Sequence, residues 1–174
     1  GSCFPKDVKA LIKSGKQEGF DFQILEATEN VNQAQKVILI SEIEKYFGGN
    51  LQGKKIALWG LAFKANTDDI REASSLDNIK ILLEKGAEIT AFDKIAEENV
   101  RKILGNKISY AKDMYSAVEN ADCLLIATEW SEFKNPNFDL LAEKMNNKAI
   151  FDGRNMFALE QVENTGFYYK SIGR

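Results

Sequence analysis

The sequence predicts an α/β protein: a parallel, doubly wound sheet preceded by a long helix. From Lys54 onward, short apolar runs of strand length alternate with segments of helical periodicity. Before Gly48 the apolar residues recur only at helical spacing. Strands that alternate with helices of this length are joined by crossovers, and such crossovers produce a parallel sheet.

The segment before Gly48 predicts one long helix over residues 29–47, which ends at Gly48-Gly49-Asn50. Its apolar surface is broad and must meet more than one neighbour. Core packing is one explanation of the whole surface, and a subunit interface on the second flank is the alternative. The stripe consists of Val31, Ala34, Ile38, Ile43 and Phe47, widened by Val37, Ile40 and Tyr46.

The pattern after Gly53 predicts six strands and four helices. The expected boundary near 48–53 divides a helical part, residues 1–50, from an α/β domain, residues 51–174. The strands are predicted at 55–60, 88–93, 107–110, 123–128, 149–152 and 167–172. The first helix is predicted to follow a capping box at Ser74–Asp77, and the second is predicted to end at Gly105. The other two are predicted over residues 114–120 and 138–145.

The composition predicts an ordinary globular chain. Of 174 residues, 44% are apolar and 28% are charged, and the net charge is −3. These values exclude a disordered chain and disfavour a nucleic-acid partner, and no apolar run is long enough to cross a membrane. Two cysteines do not make a disulfide framework, so we expect a cytoplasmic setting. There is no histidine, which excludes a Ser-His-Asp triad and a histidine-based metal site within this chain, and we expect no metal site.

Parallel sheets bind ligands beyond the carboxyl ends of their strands, here between the first and fourth. Lys64 follows the first strand and Arg154 follows the fifth, so both are expected at one edge of this crevice, with Arg71 nearby. Cations in a crevice suit a diphosphate, and arginine can bind it in a bidentate manner. The alternative is that each is a solvated surface charge.

The glycine fingerprint of dinucleotide-binding domains is absent. The turn after the first strand is Gly60-Leu61-Ala62-Phe63, and Phe63 would crowd a pyrophosphate. Asp93 ends the second strand, as an acidic residue does in NAD-binding domains, but the glycines that normally accompany it are missing. The sequence therefore predicts a nucleotide-type fold that does not bind NAD in the usual way.

The chain opens with Gly-Ser-Cys-Phe-Pro-Lys-Asp. A thiolate at Cys3 would be a nucleophile, and Lys6 would lower its pKa. Asp7 would lie on the same side as Cys3 if a helix starts at Pro5. Taken alone, a cysteine near a terminus is more often inert than catalytic.

This opening segment resembles the catalytic segment of the UDP-glucose/GDP-mannose dehydrogenase family. Residues 60–72 resemble the second signature of that family, and 128–130 and 152–154 resemble its later landmarks. The four motifs occur in the expected order across essentially the whole chain. Phe4 and the run Thr-Glu-Trp favour the branch that acts on UDP-glucose.

The resemblance implies a four-electron oxidation of UDP-glucose to UDP-glucuronate by two NAD. Cys3 would form a thiohemiacetal and then a thioester, and Asp7 would assist proton transfer and hydrolysis. Lys6 and Arg71 would contact NAD, which an N-terminal Rossmann domain outside this sequence is expected to bind for the most part. A homodimer through helix 29–47 is also implied. The UDP-sugar would be bound by Phe63, Lys64 and Arg154.

The sequence departs from the family pattern at two places. Ala65 replaces a proline, and Ala73-Ser74 stands where Ser-Pro is usual; both changes spare the charged residues. Two alternatives stay open. One is a related dehydrogenase for UDP-N-acetylmannosamine or GDP-mannose, and the other is a non-catalytic module that binds nucleotide sugars.

Overall fold

A computed structural model describes the backbone of residues 3–174 and the side chains of residues 4–174. It confirms the predicted α/β class. Three helices precede a six-stranded sheet, and helices or turns connect the strands. The helices are α1 (Cys3–Gln17), α2 (Gln23–Lys36), α3 (Ile38–Tyr46), α4 (Ser74–Glu84), α5 (Glu97–Leu104), α6 (Met114–Ala117), α7 (Phe138–Lys144) and α8 (Leu159–Glu163), with a 3-10 turn at Ser131–Phe133.

All strand pairs in the sheet are parallel, and the order is β3-β2-β1-β4-β5-β6. The chain order reverses between β1 and β4, which is the predicted switch point. All six strands were predicted from their apolar runs. Their bounds are β1 (Lys55–Trp59), β2 (Glu88–Phe92), β3 (Ser109–Tyr110), β4 (Cys123–Ile126), β5 (Ala149–Asp152) and β6 (Tyr168–Ser171).

The core forms two layers, one on each face of the sheet. β4 and β5 are buried along their whole length, because helices cover both faces of a doubly wound sheet. Adjacent residues Leu124 and Leu125 point into opposite layers, as the alternation of a strand requires. The rigid edge that these central strands form positions the loops that follow them.

The prediction of a single helix over residues 29–47 is wrong in two respects. The helical segment starts earlier, at Gln23, and it is interrupted at Val37, where φ is −116° and ψ is 10°. The N–H of Ile40 bonds the carbonyl of Val37 and not that of Lys36. The Lys36 carbonyl instead accepts a hydrogen bond from the Asn78 side chain at 3.3 Å. A side chain that is distant in the sequence thus replaces one backbone hydrogen bond of the helix.

The two halves of this broken helix have different environments. Leu39, Ile40 and Ile43 of α3 are buried in one core layer of the sheet. None of the residues of α2 is buried. The apolar stripe therefore has two environments. One flank packs against the sheet, and the other flank is exposed in this chain. The domain division at residue 50 stays a prediction.

Some local expectations differ from the structure. The predicted capping box at Ser74–Asp77 does not form, because Ala73 is the N-cap of α4 and no side chain caps it. Ser75 instead donates to the Leu61 carbonyl at 2.6 Å. A true capping box occurs at Asp113 and Ser116, before α6. Within the described part of the chain, no helix is long and apolar enough to cross a bilayer.

Candidate functional site

A cleft of about 600 Å³ lies where the N-terminal helices meet the carboxyl edge of the sheet. One wall comes from the start of α1, the end of α2 and the start of α3. The opposite wall comes from the loops that follow β1, β4 and β5, as the switch-point rule predicts. Residues from both walls include Phe4, Leu39, Phe63, Asn78, Ala127 and Arg154.

Arg154 is the predicted site residue that the structure places directly in the cleft. Its Nε donates to the Ala127 carbonyl at 2.7 Å, and one Nη donates to the Phe63 carbonyl at 2.7 Å. Nε also lies 3.2 Å from a carboxylate oxygen of Glu129. The guanidinium therefore joins the loops that follow three neighbouring strands. A guanidinium carries five N–H donors, and two of them make these hydrogen bonds to carbonyls of the described residues.

Phe63 also lines the cleft and is half-buried, and its contact with the UDP-sugar stays a prediction. Lys64, the next residue, is exposed and does not belong to the cleft lining. The preceding residue, Phe63, accepts the hydrogen bond from Arg154 through its carbonyl. A substrate contact from Lys64 stays a prediction that requires its side chain to turn toward the cleft.

Arg71 and Lys6, the predicted NAD contacts, lie outside the cleft lining. Arg71 pairs with both carboxylate oxygens of Asp69, at 2.9 and 2.8 Å, beside a shallow surface depression. Lys6 lies 3.6 Å from Asp7, and both side chains are exposed. The structure therefore brings Arg154 and Phe63 together and leaves these cations at the surface.

Helix α1 begins at Cys3 and contains Asp7 four residues later, so the two positions lie about one turn apart along the backbone. The thiol of Cys3 lies outside the described side chains. The next two residues, Phe4 and Pro5, line the cleft. The backbone at the predicted nucleophile is therefore adjacent to the cleft, which agrees with a role for this segment at the site.

Glu72 ties α1 to the rest of the molecule, a role that the sequence did not predict. Its carboxylate accepts from Lys9 of α1 at 2.8 Å and from Lys36 of α2 at 2.5 Å. The hydrogen bond from Lys36, followed by that from Lys9, lowers the pKa of Glu72. Glu72 has a left-handed backbone, with φ 58°. Since Lys36 and Glu72 also line the cleft, this cluster borders the candidate site.

Asp93 occupies the position at which NAD-binding domains hold the ribose, but its carboxylate is fully used by the protein. It is buried, and its two oxygens accept five hydrogen bonds that clamp the β1 turn, the β2 turn and an indole together. No acceptor is left for a ribose hydroxyl. The five donors are the N–H groups of Leu61, Ala62, Ile95 and Ala96 and the Trp130 indole.

The turn after β1 is closed to a pyrophosphate as well. Gly60 has φ 91°, and a Cβ there would lie 2.3 Å from the Thr128 Cβ. The absence of a side chain at Gly60 therefore allows the segment at Thr128 to pack closely against this turn, and it does not leave room for a ligand. Together with Asp93, this turn shows that the residues present do not fit NAD in the usual geometry.

Cys123, the second cysteine, lies in β4 and is fully buried. Burial raises the pKa of its thiol, so it is a poor source of thiolate. Among the side chains of residues 4–174, no group of three or more Cys, Asp or Glu is placed to bind a metal ion.

Comparison with known proteins agrees with this architecture. Residues 57–159 match the UDP binding domain of the UDP-glucose/GDP-mannose dehydrogenase family, and residues 1–34 match its central domain. The chain is 43% identical to UDP-glucose 6-dehydrogenase of Pseudomonas aeruginosa, over 100% of this chain and 40% of the relative. The chain therefore belongs to the UDP-glucose/GDP-mannose dehydrogenase family.

Two solved structures share the fold. The UDP-glucose dehydrogenase of Pyrobaculum islandicum superposes with a TM-score of 0.82 at 30% identity, over 98% of this chain and 37% of that one. The UDP-D-ManNAc dehydrogenase of Pyrococcus horikoshii superposes with a TM-score of 0.79 at 28% identity, over 100% of this chain and 38% of that one. The chain spans about 40% of the length of the curated relatives it matches.

Proposed function

We propose that this chain is the UDP-sugar-binding, C-terminal part of an NAD-dependent UDP-glucose 6-dehydrogenase. The observation that carries the proposal is the cleft, in which Arg154 faces the start of the helix that carries Cys3. A guanidinium at the carboxyl edge of a parallel sheet suits a diphosphate. The identity to UDP-glucose 6-dehydrogenases supports the choice of sugar.

In the proposed chemistry the C6 alcohol of glucose is oxidised to a carboxylate, and two NAD bound mainly outside these residues would accept the two hydrides. Cys3 adds as a thiolate to the intermediate aldehyde and forms a thiohemiacetal. Loss of the second hydride converts this adduct to a thioester. Water then attacks the thioester carbon, the carboxylate forms, and the sulfur leaves as thiolate. Asp7, four residues from Cys3 on α1, is proposed to accept a proton from that water, as the family resemblance implies.

NAD is proposed to bind mainly outside these residues. The carboxylate of Asp93 and the turn at Gly60 do not fit the dinucleotide. The side chains of Arg71 and Lys6 are exposed at the protein surface, and each lies beside a carboxylate. The cofactor contacts of both residues are part of the proposal.

Calorimetry on the 174-residue chain tests the proposed substrate class. We expect UDP-glucose to bind and GDP-mannose to bind at least about tenfold more weakly, because a site that hydrogen-bonds one base leaves buried groups unpaired with another. Equal affinity for GDP-mannose would contradict a uridine site. Tighter binding of UDP-N-acetylmannosamine than of UDP-glucose would assign the chain to the related dehydrogenase that the Pyrococcus horikoshii structure represents.

The proposed partner is a second copy of the chain, bound through the helical segment of residues 23–46. The exposed flank of α2 carries apolar side chains at heptad-like spacing. Ile24 and Val31 are 81% and 69% exposed. The stripe continues through Ala27 and Ala34 to Ile38, and a continuous apolar stripe of this kind fits a helix-to-helix subunit contact.

Sedimentation velocity of wild type and Val31→Glu tests the dimer. We expect wild type to sediment as a dimer and Val31→Glu as a monomer, because a carboxylate would be buried without a partner. Ile103→Glu is the matched control, since Ile103 is 60% exposed on α5, away from the stripe. A wild type that stays monomeric at high concentration, or a dimer that survives Val31→Glu, would refute this interface.

A further inference from the structure

One buried acceptor beside the cleft has no partner among the described residues. Asn78 lies on α4, lines the cleft and is 5% exposed. Its Nδ2 donates to the Lys36 carbonyl at 3.3 Å, whereas Oδ1 has no donor within the described part of the chain. Buried side-chain oxygens are almost always hydrogen-bonded, so this one calls for a partner that enters the cleft.

The break between α2 and α3 determines the orientation of this amide. The N–H of Ile40 bonds Val37, and the Lys36 carbonyl is thereby left to the Asn78 side chain. Exchange of the amide nitrogen and oxygen would place two acceptors against each other. The nitrogen therefore faces Lys36, and the oxygen is the atom that remains for a ligand.

The charged neighbours of Asn78 do not supply the missing donor. The Lys36 ammonium is bound to the Glu72 carboxylate and lies 3.6 Å from that of Asp77. It is thus committed to two carboxylates. The part of the cleft wall at Leu39 is apolar. Among the described residues no donor bonds Asn78 Oδ1, which leaves this oxygen to a cleft occupant.

We infer that Asn78 Oδ1 accepts a hydrogen bond from an uncharged donor of the bound nucleotide sugar, namely a sugar hydroxyl or the uracil N3–H. This inference rests on the proposed function. A diphosphate presents only acceptor oxygens, so it cannot be the partner of Oδ1. Asn78 and Arg154 therefore divide the ligand between them: Arg154 binds the charged part, and Asn78 recognises the neutral part.

The test compares three ligands by calorimetry on wild type and Asn78→Leu: UDP-glucose, UDP and inorganic diphosphate. We expect Asn78→Leu to weaken UDP-glucose binding about threefold to tenfold, the usual effect of one neutral hydrogen bond. Diphosphate affinity should not change. Asn78→Ala removes the same oxygen and introduces no branched side chain, so it replaces the leucine variant if that variant folds poorly. It should likewise weaken UDP-glucose binding and leave diphosphate binding unchanged. Circular dichroism of both variants confirms that the fold is retained.

The ligand series identifies the donor. If UDP and UDP-glucose weaken equally, the donor belongs to the uridine; if only UDP-glucose weakens, it is a glucose hydroxyl. Both results support the inference. Unchanged UDP-glucose affinity in a folded variant overturns it, and so does an equal loss of diphosphate affinity, which would indicate a distorted cleft. A wild type that binds none of the three ligands overturns the proposed function itself.

Discussion

Replacement of Cys3 by serine should abolish turnover in a longer dehydrogenase that contains these residues. We expect kcat to fall by roughly a thousandfold or more, the scale seen when a covalent nucleophile is removed. A serine hydroxyl is a far weaker nucleophile than a thiolate at neutral pH. An ester on serine would also hydrolyse slowly, so that any intermediate would stall.

The measurement combines the absorbance of reduced NAD with mass spectrometry of the protein during turnover. Wild type should carry a sugar adduct on the peptide that contains Cys3. Cys123→Ala is the control, and it should retain kcat, because Cys123 is fully buried in β4 and its thiol pKa is raised. Full activity in Cys3→Ser, or an adduct on another residue, would contradict the assignment.

Arg154→Ala should weaken UDP-glucose binding and lower stability together. Loss of one charge-assisted contact to phosphate costs about 1.5–3 kcal/mol, which is about 10- to 150-fold in Kd. The same change removes the hydrogen bonds to the carbonyls of Ala127 and Phe63. Arg154→Lys keeps the charge but cannot reproduce the fork of donors, so we expect an intermediate affinity.

Calorimetry with UDP-glucose and thermal unfolding separate the two effects of Arg154. Arg101→Ala is a matched control, because Arg101 pairs with Glu97 on α5, away from the cleft. It should leave UDP-glucose affinity unchanged. If folded Arg154→Ala binds UDP-glucose as tightly as wild type does, Arg154 is not part of the site.

The strands of the sheet could be predicted because each of them is marked by a local pattern in the sequence. Buried parallel strands are nearly continuous apolar runs, and Cys123–Ile126 and Ala149–Asp152 are of this kind. Once the strands were assigned, the switch-point rule placed Arg154 at the cleft without knowledge of any contact. The position of that residue therefore follows from topology alone.

The features that the sequence did not predict depend on partners that are distant in the chain. The break at Val37 involves Asn78, which lies 42 residues from Lys36 along the chain. The bridge from Glu72 to Lys9 spans 63 residues. No periodicity in a window of a few turns contains such pairs. Lys36, Glu72 and Asn78 line the cleft, so the contacts within the site were less predictable than its location.

The location of the ligand is the central claim, and amide chemical-shift mapping tests it most directly. UDP-glucose would be titrated into the isotopically labelled 174-residue chain. We predict the largest shifts at the cleft, in residues 153–155, at Ala127 and at Phe63. The groove between α1 and α2, lined by Lys13 and Glu26, should be little affected. Shifts concentrated in that groove, with none at the cleft, would contradict the account.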